Sequence, residues 1–120
     1  MERTTKTEGG FLVTNPTRQR AIERFSQRIR HRLPTRIKDV RLFGSVARGT
    51  DSPESDVDIL VLVESDDRET TDIIMDIAVE INLDFDVVIA PIIMTRSHYA
   101  NPLFRETAFF QALEQEGVSL

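Results

Sequence analysis

Two aspartates one residue apart are the side chains of this 120-residue chain that point most directly to chemistry. Asp56 and Asp58 stand at the head of an apolar run that ends at Val63. Side chains in a strand alternate between faces, so the two carboxylates project from the same side, with Cα atoms about 6.6 Å apart. Their charges repel, and a divalent cation relieves that repulsion. Oxygen-only ligands suit Mg²⁺, which completes its shell with water and substrate phosphates.

A Gly-Ser pair lies just before this acidic motif and offers the complementary chemistry. Gly44 and Ser45 follow a predicted strand, where an unhindered backbone N–H and a hydroxyl can contact phosphate. Arg48 can either bind phosphate or pair with a nearby carboxylate, and the sequence leaves both open. Each half of the pattern is common alone, as an ordinary turn or a solvated loop. Together, a phosphate cradle and a metal clamp predict nucleotidyl transfer.

The order of these residues also carries a family resemblance. The string Gly44-Ser45-x-x-Arg48-Gly49, followed by Asp56-x-Asp58 and an aliphatic tail, resembles the DNA polymerase beta-like nucleotidyltransferase superfamily. It is most similar to the minimal nucleotidyltransferases of prokaryotes, and the resemblance runs from about Ile37 to the end of the chain. It implies an α/β (α+β) fold in which helices flank a small mixed β-sheet.

The resemblance implies a third carboxylate on a later strand. Asp86, followed by two valines, matches that position best, and Asp84 is the alternative. Asp56, Asp58 and Asp86 would then hold Mg²⁺, with two ions as the implied number, while Gly44, Ser45 and Arg48 bind the phosphates of ATP.

The same resemblance implies a reaction and a partner. Minimal nucleotidyltransferases are often antitoxins paired with a HEPN toxin, and the implied reaction transfers AMP from ATP to a hydroxyl of that toxin, often a tyrosine. Two alternatives stay open. One is a non-catalytic antitoxin that neutralises its partner by binding, and the other is a nucleotidyltransferase that acts on RNA or a small molecule.

Hydrophobic periodicity predicts the elements that must position these residues. Helices are expected over Pro16 to Leu33, after a charged connection at Glu64 to Glu69 as far as about Asn82, and from Asn101 to Gly117. Strands are expected over Ile37–Phe43, Asp56–Val63 and Leu83–Ile89, with Pro91 after the third and a short edge strand at Val118 to Leu120. Residues 1–15 are expected to be a mobile tail and residues 16–120 a single domain.

Composition narrows the class of protein further. The net charge of −5 makes stable DNA binding unfavourable. The absence of cysteine excludes disulfides and thiolate metal sites. No long apolar span is present, so a cytoplasmic protein without membrane contact is expected. The final helix carries more apolar residues than one stripe can bury, which predicts a partner surface or a homo-oligomer contact.

Overall fold

The computed structural model describes residues 15–50 and 55–120. The tail predicted for residues 1–15 therefore lies outside the described residues except for its last position, as does most of the polar loop before Asp56. In chain order the elements are α1 Pro16–Arg32, β1 Ile37–Phe43, α2 Gly44–Arg48, β2 Val57–Val63, α3 Arg68–Phe85, β3 Ile89–Thr95, α4 Arg96–Tyr99, α5 Pro102–Arg105, α6 Ala108–Glu116 and β4 Val118–Ser119.

The four strands form one mixed sheet with the order β3-β2-β1-β4. Strand β1 pairs antiparallel with both β2 and β4, whereas β2 and β3 run parallel. A parallel pair needs a long crossover, which α3 provides. The predicted α/β class with a small mixed sheet and flanking helices is confirmed.

Helix α1 begins and ends close to the predicted residues. Its side chain at Asn15 caps the first turn by accepting a hydrogen bond from the Arg18 N–H at 3.0 Å, and Pro16 suits the first helical position. The apolar residues at helical spacing form the buried face, and these are Ala21, Ile22, Phe25 and Ile29. This face packs against the sheet and α3.

The two faces of β2 meet different partners. Val57, Ile59, Val61 and Val63 lie in the main core with α1 and α3. Leu60 and Leu62 point the other way and pack with Leu113 of α6. Because side chains alternate along a strand, Asp58 shares the face of Leu60, on the side of α4 to α6. The alternation predicted for this strand is confirmed.

The predicted third strand at Leu83–Ile89 is wrong. Helix α3 continues to Phe85, Asp86 adopts a left-handed conformation at φ 54°, and the strand spans Ile89–Thr95. The side chain of Asn82 accepts a hydrogen bond from the Ile89 N–H at 2.8 Å and so ties the helix end to the strand start. Pro91 lies inside the strand because β3 is at the sheet edge, where one side needs no N–H donor.

The predicted final helix is two helices. The Thr107 hydroxyl accepts a hydrogen bond from the Phe110 N–H at 3.1 Å and starts α6 after a break from α5. Asn101 caps α5 as expected, and the chain leaves α6 at Gly117 to form the short edge strand β4. Within the described ranges, no helix has the length and apolarity needed to cross a membrane.

Candidate active site

The glycine before α2 is shaped to the carboxylate of Asp58. Antiparallel pairing of β1 and β2 places Phe43 opposite Asp58, so the next residue, Gly44, lies directly against the Asp58 side chain. A Cβ at Gly44 would collide with Oδ2 of Asp58 and lie 3.2 Å from its Cγ. Gly44 also has φ +80°, which only glycine adopts easily. Two independent requirements therefore call for glycine at this position.

The acid pair occupies the end of β2 where this turn lies. Asp58 is partly buried on the strand, and Asp56, one position before the strand begins, is exposed. Burial raises the pKa of Asp58, and the negative charge of Asp56 raises it further, while the charge of Arg48 lowers it. Burial and the neighbouring negative charge both make ionised Asp58 less favourable. A cation between them would remove a repulsion that the folded chain carries, so this donor pair fits Mg²⁺.

Ser45 and Arg48 lie on the short helix α2 beside the pair. Ser45 is partly buried in the first turn, and Arg48 is exposed in the last. The Arg48 guanidinium donates a hydrogen bond to Oε1 of Glu116 at 3.0 Å. Of the two roles left open for Arg48, pairing with a carboxylate is therefore observed, and phosphate binding stays a prediction.

Asp86 lies in the turn between α3 and β3. It caps the C-terminus of α3, two residues before Val88, and lines an open cavity with Arg18 and Ser55. Among the residues that the structure describes, no three acidic or histidine side chains come close enough to hold one metal ion. Asp86 as third ligand therefore stays a prediction without support from this geometry. The alternative, Asp84, is exposed in the last turn of α3.

The register of β2 and β3 shows which residues lie beside the acid pair at this edge. Asp58 lies opposite Ala90, and the Val57 N–H donates to the Val88 carbonyl at 2.7 Å, which places Val88 beside Asp56. These two positions are the ones directly beside the pair. Both residues are apolar, and Val88 is 52% exposed.

Helix α6 lies on the side of the site away from β3. A network of polar side chains fixes α6 to β1. Arg41 donates hydrogen bonds to Glu114 and to the Tyr99 hydroxyl, each at 3.1 Å, and the Tyr99 hydroxyl donates to Glu114. Burial and then the bond to Glu114 raise the pKa of Tyr99 to about 12. The hydrogen bond from Tyr99, followed by that from Arg41, lowers the pKa of Glu114.

Aromatic contacts also join α6 to the end of β1, directly before the Gly-Ser turn. The ring of Phe109 packs edge-on against Phe43, with centroids 5.8 Å apart. The sequence analysis did not identify Glu116 as a neighbour of the candidate site. The available signal was an acidic residue directly before Gly117, at the end of a helix otherwise rich in apolar groups.

Two solved structures share the fold. One is a toxin–antitoxin crystallised with AMP-PNP, with 19% identity and a TM-score of 0.53 over 81% of this chain and 70% of that chain. The other is the toxin–antitoxin MntA-HpeT, solved as a mutant, with 20% identity and a TM-score of 0.50 over 82% of this chain and 70% of that chain. At these identities the likeness establishes the fold alone.

Sequence relatives define the family. Two proteins of Methanocaldococcus jannaschii, each named "Putative protein adenylyltransferase", are 35% and 36% identical to this chain. The first match covers 82% of this chain and 94% of the relative, and the second covers 62% and 71%. The model of the nucleotidyltransferase domain matches residues 22–113. The resemblance seen in the sequence is confirmed, and the chain belongs to the nucleotidyltransferase domain family.

Proposed function

We propose that this nucleotidyltransferase transfers AMP from ATP to a hydroxyl of a protein, that it needs Mg²⁺, and that it acts as the antitoxin of a HEPN toxin. The observation that carries the enzymatic part is the fit between Gly44 and Asp58. Position 44 accepts only glycine because the carboxylate of Asp58 lies against it, and the charge of Asp58 is repelled by that of Asp56. This combination is expected of a site for metal and phosphate and not of an ordinary turn.

Asp56 and Asp58 would hold Mg²⁺, which when bound neutralises charge on the phosphates. The backbone N–H and hydroxyl of Ser45 would contact the phosphates after the α-phosphate, with Arg48 as an added positive charge. The acceptor oxygen forms a bond to the α-phosphorus while the bond from that phosphorus to the bridging oxygen breaks. Pyrophosphate leaves, and the proton of the hydroxyl passes to water.

The nature of the acceptor rests on the comparisons. Both sequence relatives carry names that specify a protein acceptor, and both structural neighbours are toxin–antitoxin complexes, one of them with AMP-PNP. These support a protein substrate and a toxin partner for this chain, with a tyrosine as the proposed acceptor. They also favour the cytoplasm as its location, where ATP and such a partner are both present.

Label transfer tests the proposal. The chain is incubated with Mg²⁺, ATP labelled at the α-phosphate and a HEPN toxin encoded beside it. We expect label on the toxin, and roughly a thousandfold or greater loss in Asp56→Asn/Asp58→Asn, because the substituted pair no longer binds the metal that offsets phosphate charge. Asp72→Asn/Asp76→Asn removes two charges from the exposed surface of α3 and serves as the matched control.

The outcome also separates the other candidate functions. Full neutralisation of the toxin by Asp56→Asn/Asp58→Asn, with no label on the toxin even in the wild type, would show that the chain acts by binding alone. Label on RNA or on a small molecule in place of the toxin would move the acceptor to that class. Mass analysis of the labelled toxin then identifies the acceptor residue and the number of AMP groups.

A further inference from the structure

Glu116 is the residue beside the proposed site whose role nothing above assigns. It ends α6, 68 positions after Arg48, and its carboxylate accepts a hydrogen bond from the Arg48 guanidinium at 3.0 Å. The Arg48 and Glu116 side chains are 46% and 36% exposed. An ion pair this exposed contributes little to stability, about 0–1 kcal/mol. The ion pair therefore matters more for the position of the Arg48 guanidinium than for the stability of the fold.

Arg48 has a second acidic neighbour. Gly44 at the start of α2 packs against the Asp58 carboxylate, and Arg48 stands four residues later on the same face of this short helix. An arginine with five N–H donors forms strong paired hydrogen bonds with any carboxylate it can reach. Released from Glu116, the side chain would turn toward Asp58, where it would compete with a divalent cation for the same oxygens.

The end of α6 is built to hold Glu116 in place. The Gly117 N–H donates to the Leu113 carbonyl at 2.9 Å, and a Cβ at Gly117 would collide with that carbonyl oxygen. Directly afterwards β4 pairs with β1, and the Leu120 N–H donates to the Val40 carbonyl at 2.9 Å. Glu116 is thus fixed to β1, the strand that leads into the Gly-Ser turn.

We infer that Glu116 is a positioning residue that holds the Arg48 guanidinium away from Asp58 and so keeps the acid pair available for a divalent cation. The inference rests on the proposed metal site and goes beyond it, because it gives the C-terminal end of the chain a part in metal binding. In this role Glu116 acts through Arg48 and is not itself a ligand of the metal.

Mn²⁺ binding tests this without any turnover. Mn²⁺ is added to the wild type, Glu116→Gln, Arg48→Gln and the double variant, each with AMP-PNP present. Electron paramagnetic resonance measures the Mn²⁺ that stays free, which gives the affinity. We expect Glu116→Gln to weaken Mn²⁺ binding about three- to tenfold, because the released guanidinium occupies Asp58. In the double variant no guanidinium remains, so its affinity should lie within about twofold of Arg48→Gln.

Glu80→Gln is the matched control, since Glu80 accepts from Arg28 at 3.1 Å on the α1 and α3 side of the sheet. It removes the same charge from a similar ion pair and should leave Mn²⁺ affinity unchanged. Thermal unfolding of Glu116→Gln should match that of Glu80→Gln, which separates positioning from a loss of folding.

Equal losses from Glu116→Gln in the wild-type and Arg48→Gln backgrounds would overturn the inference, because Glu116 would then act only through its own charge. An effect no larger than that of Glu80→Gln would overturn it as well. Failure of the wild type to bind Mn²⁺ would remove the proposed metal site itself, and this inference with it. Mn²⁺ binding by the wild type with no coupling between the two residues would remove only the inference.

Discussion

The residues that lie beside the acid pair differ between the β1 side and the β3 side. On the β1 side, the chain turns at Gly44 so closely that a side chain at this position would collide with Asp58, and Arg48 adds a positive charge. On the β3 side, the positions beside the two aspartates are Val88 and Ala90. Of these residues beside the two aspartates, those on the β1 side thus carry the charged group, and this is the side where phosphates and metal would lie.

The largest expected effect tests the β1 side through a pair of glycines. Gly44 and Gly49 have nearly the same backbone, at φ +80° and +77°, but a Cβ at Gly49 meets nothing within 4 Å. Alanine at Gly49 therefore adds backbone strain alone, about 1 kcal/mol. Alanine at Gly44 adds a collision with Asp58, and we expect a loss of about 2–4 kcal/mol in the free energy of unfolding.

Urea unfolding and nucleotide transfer are measured for both variants. Activity should fall much further in Gly44→Ala than its remaining folded fraction explains, because Asp58 must move to make room. Similar losses in the two alanine variants would show that the close contact with Asp58 has no functional meaning. Such a result would weaken the contrast between the two sides of the acid pair.

The next effect concerns the β3 side and decides the place of Asp86. If Asp86 is the third ligand, Asp86→Asn should reduce transfer as severely as Asp58→Asn. Asp86 stands three residues before β3, and no three-carboxylate group forms among the residues that the structure describes, so we expect less than about a threefold loss. Asparagine is the right substitution because it tolerates the left-handed conformation at this position. Asp84→Asn, which changes the alternative candidate on α3, is made in parallel and should also have little effect.

Local patterns were enough to predict the elements that carry the acid pair. Strand β1 matched at both ends, because the apolar residues run up to a glycine that breaks the pattern. Strand β2 was predicted on its alternation, which the two clusters on either side of the sheet confirm. The contact between Gly44 and Asp58 could not be read in this way. It depends on the register of β1 against β2, which joins residues from separate strands.

The third strand was misplaced for a physical reason. The segment from Leu83 to Ile89 alternates apolar and acidic residues, as an exposed strand does, yet its first half continues α3. Tertiary hydrogen bonds decide the outcome, since both polar atoms of the Asn82 amide bond to Ile89. Pro91 was interpreted as the end of a strand, a rule that does not hold at a sheet edge. The hydrogen bond between Arg48 and Glu116 could not be predicted from a local pattern either, because the two residues are 68 positions apart.

The smallest effect tests the repulsion within the acid pair itself. The pKa of Asp58 is raised above its ordinary value of 3.8, so the folded state binds this proton more tightly than the unfolded state. Stability is therefore lost as the pH rises from that value through the folded pKa. Asparagine keeps the shape and removes the charge, so Asp58→Asn should be more stable than the wild type at pH 7, by less than about 1 kcal/mol.

At pH 3 the advantage of Asp58→Asn should vanish, because the wild-type carboxyl is then largely protonated in both states. Urea unfolding at the two pH values measures the difference, with Asp76→Asn on the exposed surface of α3 as the control. A less stable Asp58→Asn at pH 7 would mean that the carboxylate is already compensated within the fold. The acid pair would then carry no repulsion for a cation to relieve, and the contrast between the charged and apolar sides would lose its energetic basis.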